Sequence, residues 1–120
     1  MDDSSYFSRT EAGFTIDILL DGDSDPSLLE VGDAIITLPS GARYSALMMT
    51  YGEVGRLLSR HEKSGESLAG RYWCAPDLIV VRDAGVESMV DVIRDILESE
   101  EIAALLPRIR TDGVMIKPDM

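Results

Sequence analysis

The chain reads as an α+β domain: a three-stranded antiparallel meander plus a fourth strand after a crossover helix, with two helices packed on the sheet. Three observations predict this. Phe14-Thr-Ile-Asp-Ile-Leu-Leu20 alternates apolar and polar residues. The short turn Pro39-Ser-Gly-Ala42 separates two strand-like runs. Leu78-Ile-Val-Val81 is an uninterrupted apolar run between two stretches of helical periodicity.

The first strand places Phe14, Ile16, Ile18 and Leu20 on one face, with Thr15 and Asp17 on the other, the period of a half-buried strand. Asp33-Ala-Ile-Ile-Thr-Leu38 is the second strand, and Arg43-Tyr-Ser-Ala-Leu-Met-Met49 the third. Gly41 can take the positive φ a tight turn needs, so these two form an antiparallel hairpin. In the third strand Tyr44, Ala46 and Met48 share one face, and Leu47 and Met49 the other. Thr50-Tyr-Gly-Glu53 has the form of a capping box, each side chain satisfying an end amide of the first helix. Tyr51, Val54, Leu57 and Leu58 then make its expected buried stripe, and Ser64-Gly65 ends it. Glu66–Asp77 is expected to be irregular.

Leu78–Val81 suits a central strand covered on both faces, parallel to the third because a helix joins them. A longer helix follows, with Val86, Met89, Val90, Ile93, Ile96 and Leu97 inward and Asp91, Asp95, Glu98, Glu100 and Glu101 outward. Ile102, Leu105 and Leu106 extend its apolar set until Pro107 stops or bends it. Residues 1–120 form a single domain on this reading, with 1–11 a loose leader and 108–120 a tail.

Composition bounds the function. Twenty-two acids against eleven Lys and Arg give a net charge of −11 in 120 residues. Such a surface repels nucleic acid and anionic lipid, whose binding depends on cationic groups, and it favours a basic protein partner. No apolar run approaches the roughly 18 to 20 residues that span a bilayer. The polar start, MDDSSYFSRT, is no export signal, and the single cysteine forms no internal disulfide. The expected setting is the cytoplasm.

Leu19-Leu-Asp-Gly-Asp-Ser-Asp-Pro-Ser-Leu-Leu-Glu30 invites a calcium-loop reading. Counted from Asp21, Asp23 and Asp25 fall at ligand positions. Position 6 is Pro26 where glycine makes the turn, and position 12 is Gly32 where a glutamate must ligate. The stretch is an acidic turn. No cofactor or metal is expected. His61 is the one histidine, so a zinc site lacks ligands. A Cys74–His61 nucleophile and base would need the two to meet, and Cys74 sits in an apolar setting that suits packing. Asp91 and Asp95 read as a solvated helix face. No catalytic residues are assigned, and the chain reads as a non-enzyme.

Gly70-Arg-Tyr-Trp-Cys-Ala-Pro-Asp77 gathers the only tryptophan with a tyrosine and an arginine, the residue types that dominate interface hot spots. Trp73 also suits a simple capping of the core. The candidate partner-binding residues are Glu66, Arg71, Tyr72, Trp73 and Asp77, with Asp21, Asp23 and Asp25 steering from a distance.

The segment GARYSALMMTYGEVGRLLSRHEKSGESLAGRYWCAPDLIVVRD, with the helix that follows, resembles a group of small acidic bacterial proteins, over about residues 41–98. The shared pattern is a G-x-R-Y strand, a G-E-x-L-x-G-R-Y-W loop and a D-L-I-V strand. Most of that group is uncharacterised, and some resemble immunity proteins of toxin systems. The resemblance implies a non-enzymatic inhibitor of a basic toxin such as a nuclease. The chain departs at Cys74-Ala75 and at Ala84-Gly85, where a polar helix cap is more usual. Two alternatives stand beside it. One is a ligand-binding domain or enzyme using a pocket near Trp73, Cys74 and His61. The other is a self-associating module, a homodimer joined through Leu19, Leu47 or Ile102–Leu106.

Overall fold

The alternating segment pairs on both sides in the computed structural model, which describes residues 5–20, 25–109 and 115–116. β1 (Ser5–Glu11), β2 (Phe14–Leu20), β3 (Val31–Thr37) and β4 (Arg43–Thr50) run antiparallel in that order. The turn between β3 and β4 closes through Leu38 N donating to Ala42 O at 2.8 Å, with Gly41 at φ +91°. Helix α1 (Tyr51–Ser64), a turn α2 (Glu66–Gly70), β5 (Leu78–Val81), helix α3 (Val86–Glu98) and a single turn α4 (Ile102–Leu105) follow. β6 (Arg108–Ile109) and β7 (Met115–Ile116) complete a mixed sheet. The α+β class and the three-stranded meander hold, and β5 lies parallel to β4 after the crossover, as expected.

The sheet is wider than four strands. Ser5–Glu11 is no leader: its polar look is that of an edge strand, paired from Ser5↔Leu20 to Glu11↔Phe14. Phe7 packs against the core, while Arg9 and Glu11 reach α3 through Glu87 and Arg94. Two pairs of the expected tail also join the sheet, Arg108 and Ile109 against β4 and Met115 and Ile116 against β6.

One face of the sheet carries the core. Phe14, Ile16 and Ile18 from β2, Ala34 and Ile36 from β3, and Tyr44, Ala46 and Met48 from β4 are buried against Met89, Val90 and Ile93 of α3. The absence of a side chain at Gly32 makes room for the end of Met89, which a Cβ there would meet at 2.5 Å. No side chain caps α3. Gly85, at φ +104°, sits where a Cβ would lie 2.7 Å from Ser27 O, and its own N–H donates to Leu29 O. Close backbone approach at Gly85 fixes where α3 starts. The helix ends at Glu98 instead of running to Leu106. Glu100 turns to φ +61°, and α4 buries Ile102 while Leu106 fills the core just after it.

The first helix departs further from expectation. Thr50 Oγ1 accepts from Glu53 N at 3.1 Å, but Glu53 does not return the bond. Its carboxylate goes to Arg56 and Arg60, and Thr50 N donates to Glu30 O. None of the α1 stripe is buried: Tyr51 is 69% exposed, and Val54, Leu57 and Leu58 are half-buried outside the main core. β5 is not central either. It borders β4 alone, and Val80 is 53% exposed. No helix among the described residues is long and apolar enough to cross a membrane.

Candidate interaction surface

The loop from Gly65 to Asp77 is built on an unusual backbone. Gly65 ends α1 at φ +87°, its N–H donating to His61 O. Ser67, Leu68 and Ala69 then adopt φ of 53°, 52° and 56°, and Gly70 follows at φ +82°. Left-handed geometry costs side-chain-bearing residues roughly 1–2 kcal/mol each, so a run of three persists only where neighbours impose it. Three constraints do so. Ala69 N donates to Gly65 O at 3.3 Å and Arg71 N to Ser67 O at 3.0 Å. Gly70 presses on α1 so closely that a Cβ would lie 2.2 Å from Leu58 O. Finally, His61 Nδ1 and Ser67 Oγ are hydrogen-bonded at 3.1 Å, with Glu66 Oε2 at 3.7 Å from His61 Nε2.

The resulting turn points apolar groups at water. Leu68 is 68% exposed and Tyr72 54%, with Glu66 and Arg71 exposed beside them. Trp73 is half-buried, which suits an anchor more than a tip. Asp77 is half-buried at the start of β5, where its carboxylate accepts from Ser45 Oγ at 2.9 Å. Asp25 stands on a different element, the 3-10 turn Pro26–Leu28 that packs against α3. Its carboxyl is held below its ordinary value by hydrogen bonds from the Ser27 hydroxyl, at 2.7 Å, and the Ser27 amide. Asp21 and Asp23 lie outside the described residues. The sequence-based candidates therefore fall on two separate elements.

The histidine–cysteine pairing is not what the loop builds. Both ring nitrogens of His61 face Ser67 and Glu66, while Cys74 is exposed instead of packed. The order carboxylate, imidazole, hydroxyl is that of an activated nucleophile. Here Glu66 is largely solvated and the three residues belong to one local turn, which the contacts hold in shape. Among the described residues no group of three or more His, Cys, Asp or Glu is placed to hold a metal ion. A cavity of about 430 Å³ opens beside the β1–β2 turn over Phe14, Leu38 and Leu97. Arg94 at its edge is already engaged by Glu11 at 2.6 Å and Asp91 at 2.7 Å.

The charge is arranged unevenly. Arg9, Arg56, Arg60, Arg82 and Arg94 each pair with a carboxylate of the same chain. Hydrogen bonds from these guanidinium groups hold Glu87, Glu30 and Asp83 below the usual carboxylate range. Five of the eleven Lys and Arg are thus engaged within the chain, and the excess of acids is the net charge of −11.

The second surface is one that strand periodicity hides. The face of the sheet opposite the core carries Tyr6, Leu19, Asp33, Leu47 and Leu78 as one row across five strands. Beside it run Val31, Met49 and Val80 on one side, and Ser8, Asp17, Ile35 and Ser45 on the other. An antiparallel sheet with one solvated face normally turns polar residues to water. Here Tyr6, Val31 and Val80 are exposed. Leu19, Ile35, Leu47 and Leu78 are only half covered. The signal in the sequence was the lack of alternation in β4 and β5, read there as cover on both faces. Compared with family models, with curated proteins and with solved structures, the chain finds no match.

Proposed function

We propose that the chain is a non-enzymatic binding protein that neutralises a basic protein partner, in its specific form an immunity protein blocking a cationic bacterial toxin such as a nuclease. The observation that carries this reading is the uneven use of charge. Five arginines are tied to the protein's own carboxylates, within a chain of net charge −11. The surplus acids create a negative field that speeds encounter with a cationic partner and repels nucleic acid. The strained turn supports it, since exposed Leu68 and Tyr72 on an enforced backbone suit recognition. Glu66 and Arg71 supply the polar rim, and Trp73 anchors the loop. The cytoplasm is the setting this role requires.

The test is direct binding to the product of the neighbouring gene and to a basic ribonuclease. A complex at micromolar concentration or tighter, weakening as salt rises and inhibiting the partner, is the expected result. No complex with either protein at that concentration would sink the reading. A dimer of this chain alone, with no affinity for cationic proteins, would favour the self-associating module.

A further inference from the structure

We infer that the open face of the sheet is a docking surface for a cationic protein segment, which seats a lysine or arginine on Asp33 between Leu19 and Leu47. This deepens the proposed function by naming a surface, and it rests on that reading for the partner's charge. Asp33 lies in the middle of the apolar row, paired across the sheet with Leu19 on β2 and Leu47 on β4. Helix α1 packs against β4 and β5 yet leaves Val31, Asp33 and Val80 exposed. The face thus offers a wide apolar surface with a carboxylate at its centre, the plan of an interface core that needs one opposite charge.

Charge complementarity selects the occupant. Asp17 and Asp77 flank the same surface, Asp17 bound by the Ser8 hydroxyl and Asp77 by that of Ser45. On the open face of β1 to β5 the cation is Arg43, at the far end beside Thr37, while Arg9 of β1 turns to Glu87 on the other side. Partial burial first, and then the charge of Asp77, raise the Asp33 carboxyl above its ordinary value of 3.8. A cation arriving there offsets both effects, whereas an acidic or neutral segment offsets neither. An extended segment lying along β3, with a lysine flanked two residues away on each side by an apolar residue, matches Val31, Asp33 and Ile35, because its side chains also repeat with period two.

The experiment is an NMR titration of the full chain with a short synthetic peptide of the pattern Val-Thr-Lys-Thr-Val, and with its glutamate counterpart. The expected result is amide shifts concentrated at Leu19, Val31, Asp33, Leu47 and Val80 with the lysine peptide alone. Asp33→Asn should weaken the affinity about fivefold, the loss of one charge-assisted contact at a half-open site. Asp95→Asn, exposed on α3 across the core from this face, should leave it unchanged. Shifts confined to residues 66–77, with Tyr72→Ala as the damaging change, overturn this inference and leave the acidic binding reading standing. Equal response to both peptides, or none, also overturns it. Shifts on this face that follow protein concentration alone, with a dimer in sedimentation, assign the surface to a second copy and overturn it too.

Discussion

Helices α1 and α3 both carry an apolar stripe, four residues in α1 against six in α3, and do different things. Both are amphipathic, of 14 and 13 residues, and both follow a strand. Helix α3 buries Val86, Met89, Val90 and Ile93 and clamps β1 through Arg9–Glu87 and Glu11–Arg94. Helix α1 buries nothing fully and instead carries the left-handed turn at its C-terminal end. One helix closes the core. The other holds a loop in place at the surface. A hydrophobic stripe therefore states that a helix has a dry side, and says little about how dry.

The strongest way to break this contrast is truncation. Ile93→Ala should cost about 2–5 kcal/mol, the range for emptying a packed site, whereas Leu57→Ala should cost about 1 kcal/mol because its site is already half open. Urea unfolding of the two variants measures the difference. Equal losses would mean that α1 is as much a part of the core as α3.

Next come the two close-packed glycines, which sharpen the contrast by position. Gly85→Ala and Gly70→Ala each place a methyl against backbone at positive φ, worth about 1–3 kcal/mol. Hydrogen exchange should separate them. Gly85→Ala should expose amides along α3 and the turn at Pro26–Leu28, and Gly70→Ala only those of α1 and the loop after it. A global effect from Gly70→Ala would join the two regions into one cooperative unit.

Smallest is the acid response. Glu30 and Glu87 are held below their ordinary value of 4.5 by Arg56 and Arg9, so the stability they contribute is present above that value and lost as pH falls through their lowered ones. Asp33 runs the other way. Its raised value makes the folded state bind a proton more readily, so its contribution is fully present below 3.8 and is lost as pH rises through that raised value. Asp33→Asn should therefore gain on the natural chain as pH rises across the carboxylate range. The gain should be a few tenths of a kcal/mol, since the site is largely solvated. Paired melting curves across that range would show it, and a gain that shrinks with rising pH would contradict the assigned sign.

The sequence by itself determined the elements whose signal is local. Alternation in Phe14–Leu20, the Gly41 turn and the Thr50 half of the capping box became what they promised, because strand period, positive φ and the Glu53 amide are satisfied within a few residues, whereas the Glu53 carboxylate turned to Arg56 and Arg60. The parallel placement of β5 followed from the length of its crossover. Tertiary structure decided what depends on neighbours far along the chain. Ser5–Glu11 became a strand because β2 and α3 supply partners for its polar face. The α1 stripe stayed half wet, and the run Leu78–Val81 stayed half exposed, because burial is set by what lies opposite, and apolar residues cannot announce whether anything does. The loop candidates were visible as an aromatic cluster, but the left-handed turn beneath them depends on α1 pressing against Gly70. The open sheet face was legible only once register aligned Tyr6, Leu19, Asp33, Leu47 and Leu78, residues scattered over more than half the sequence.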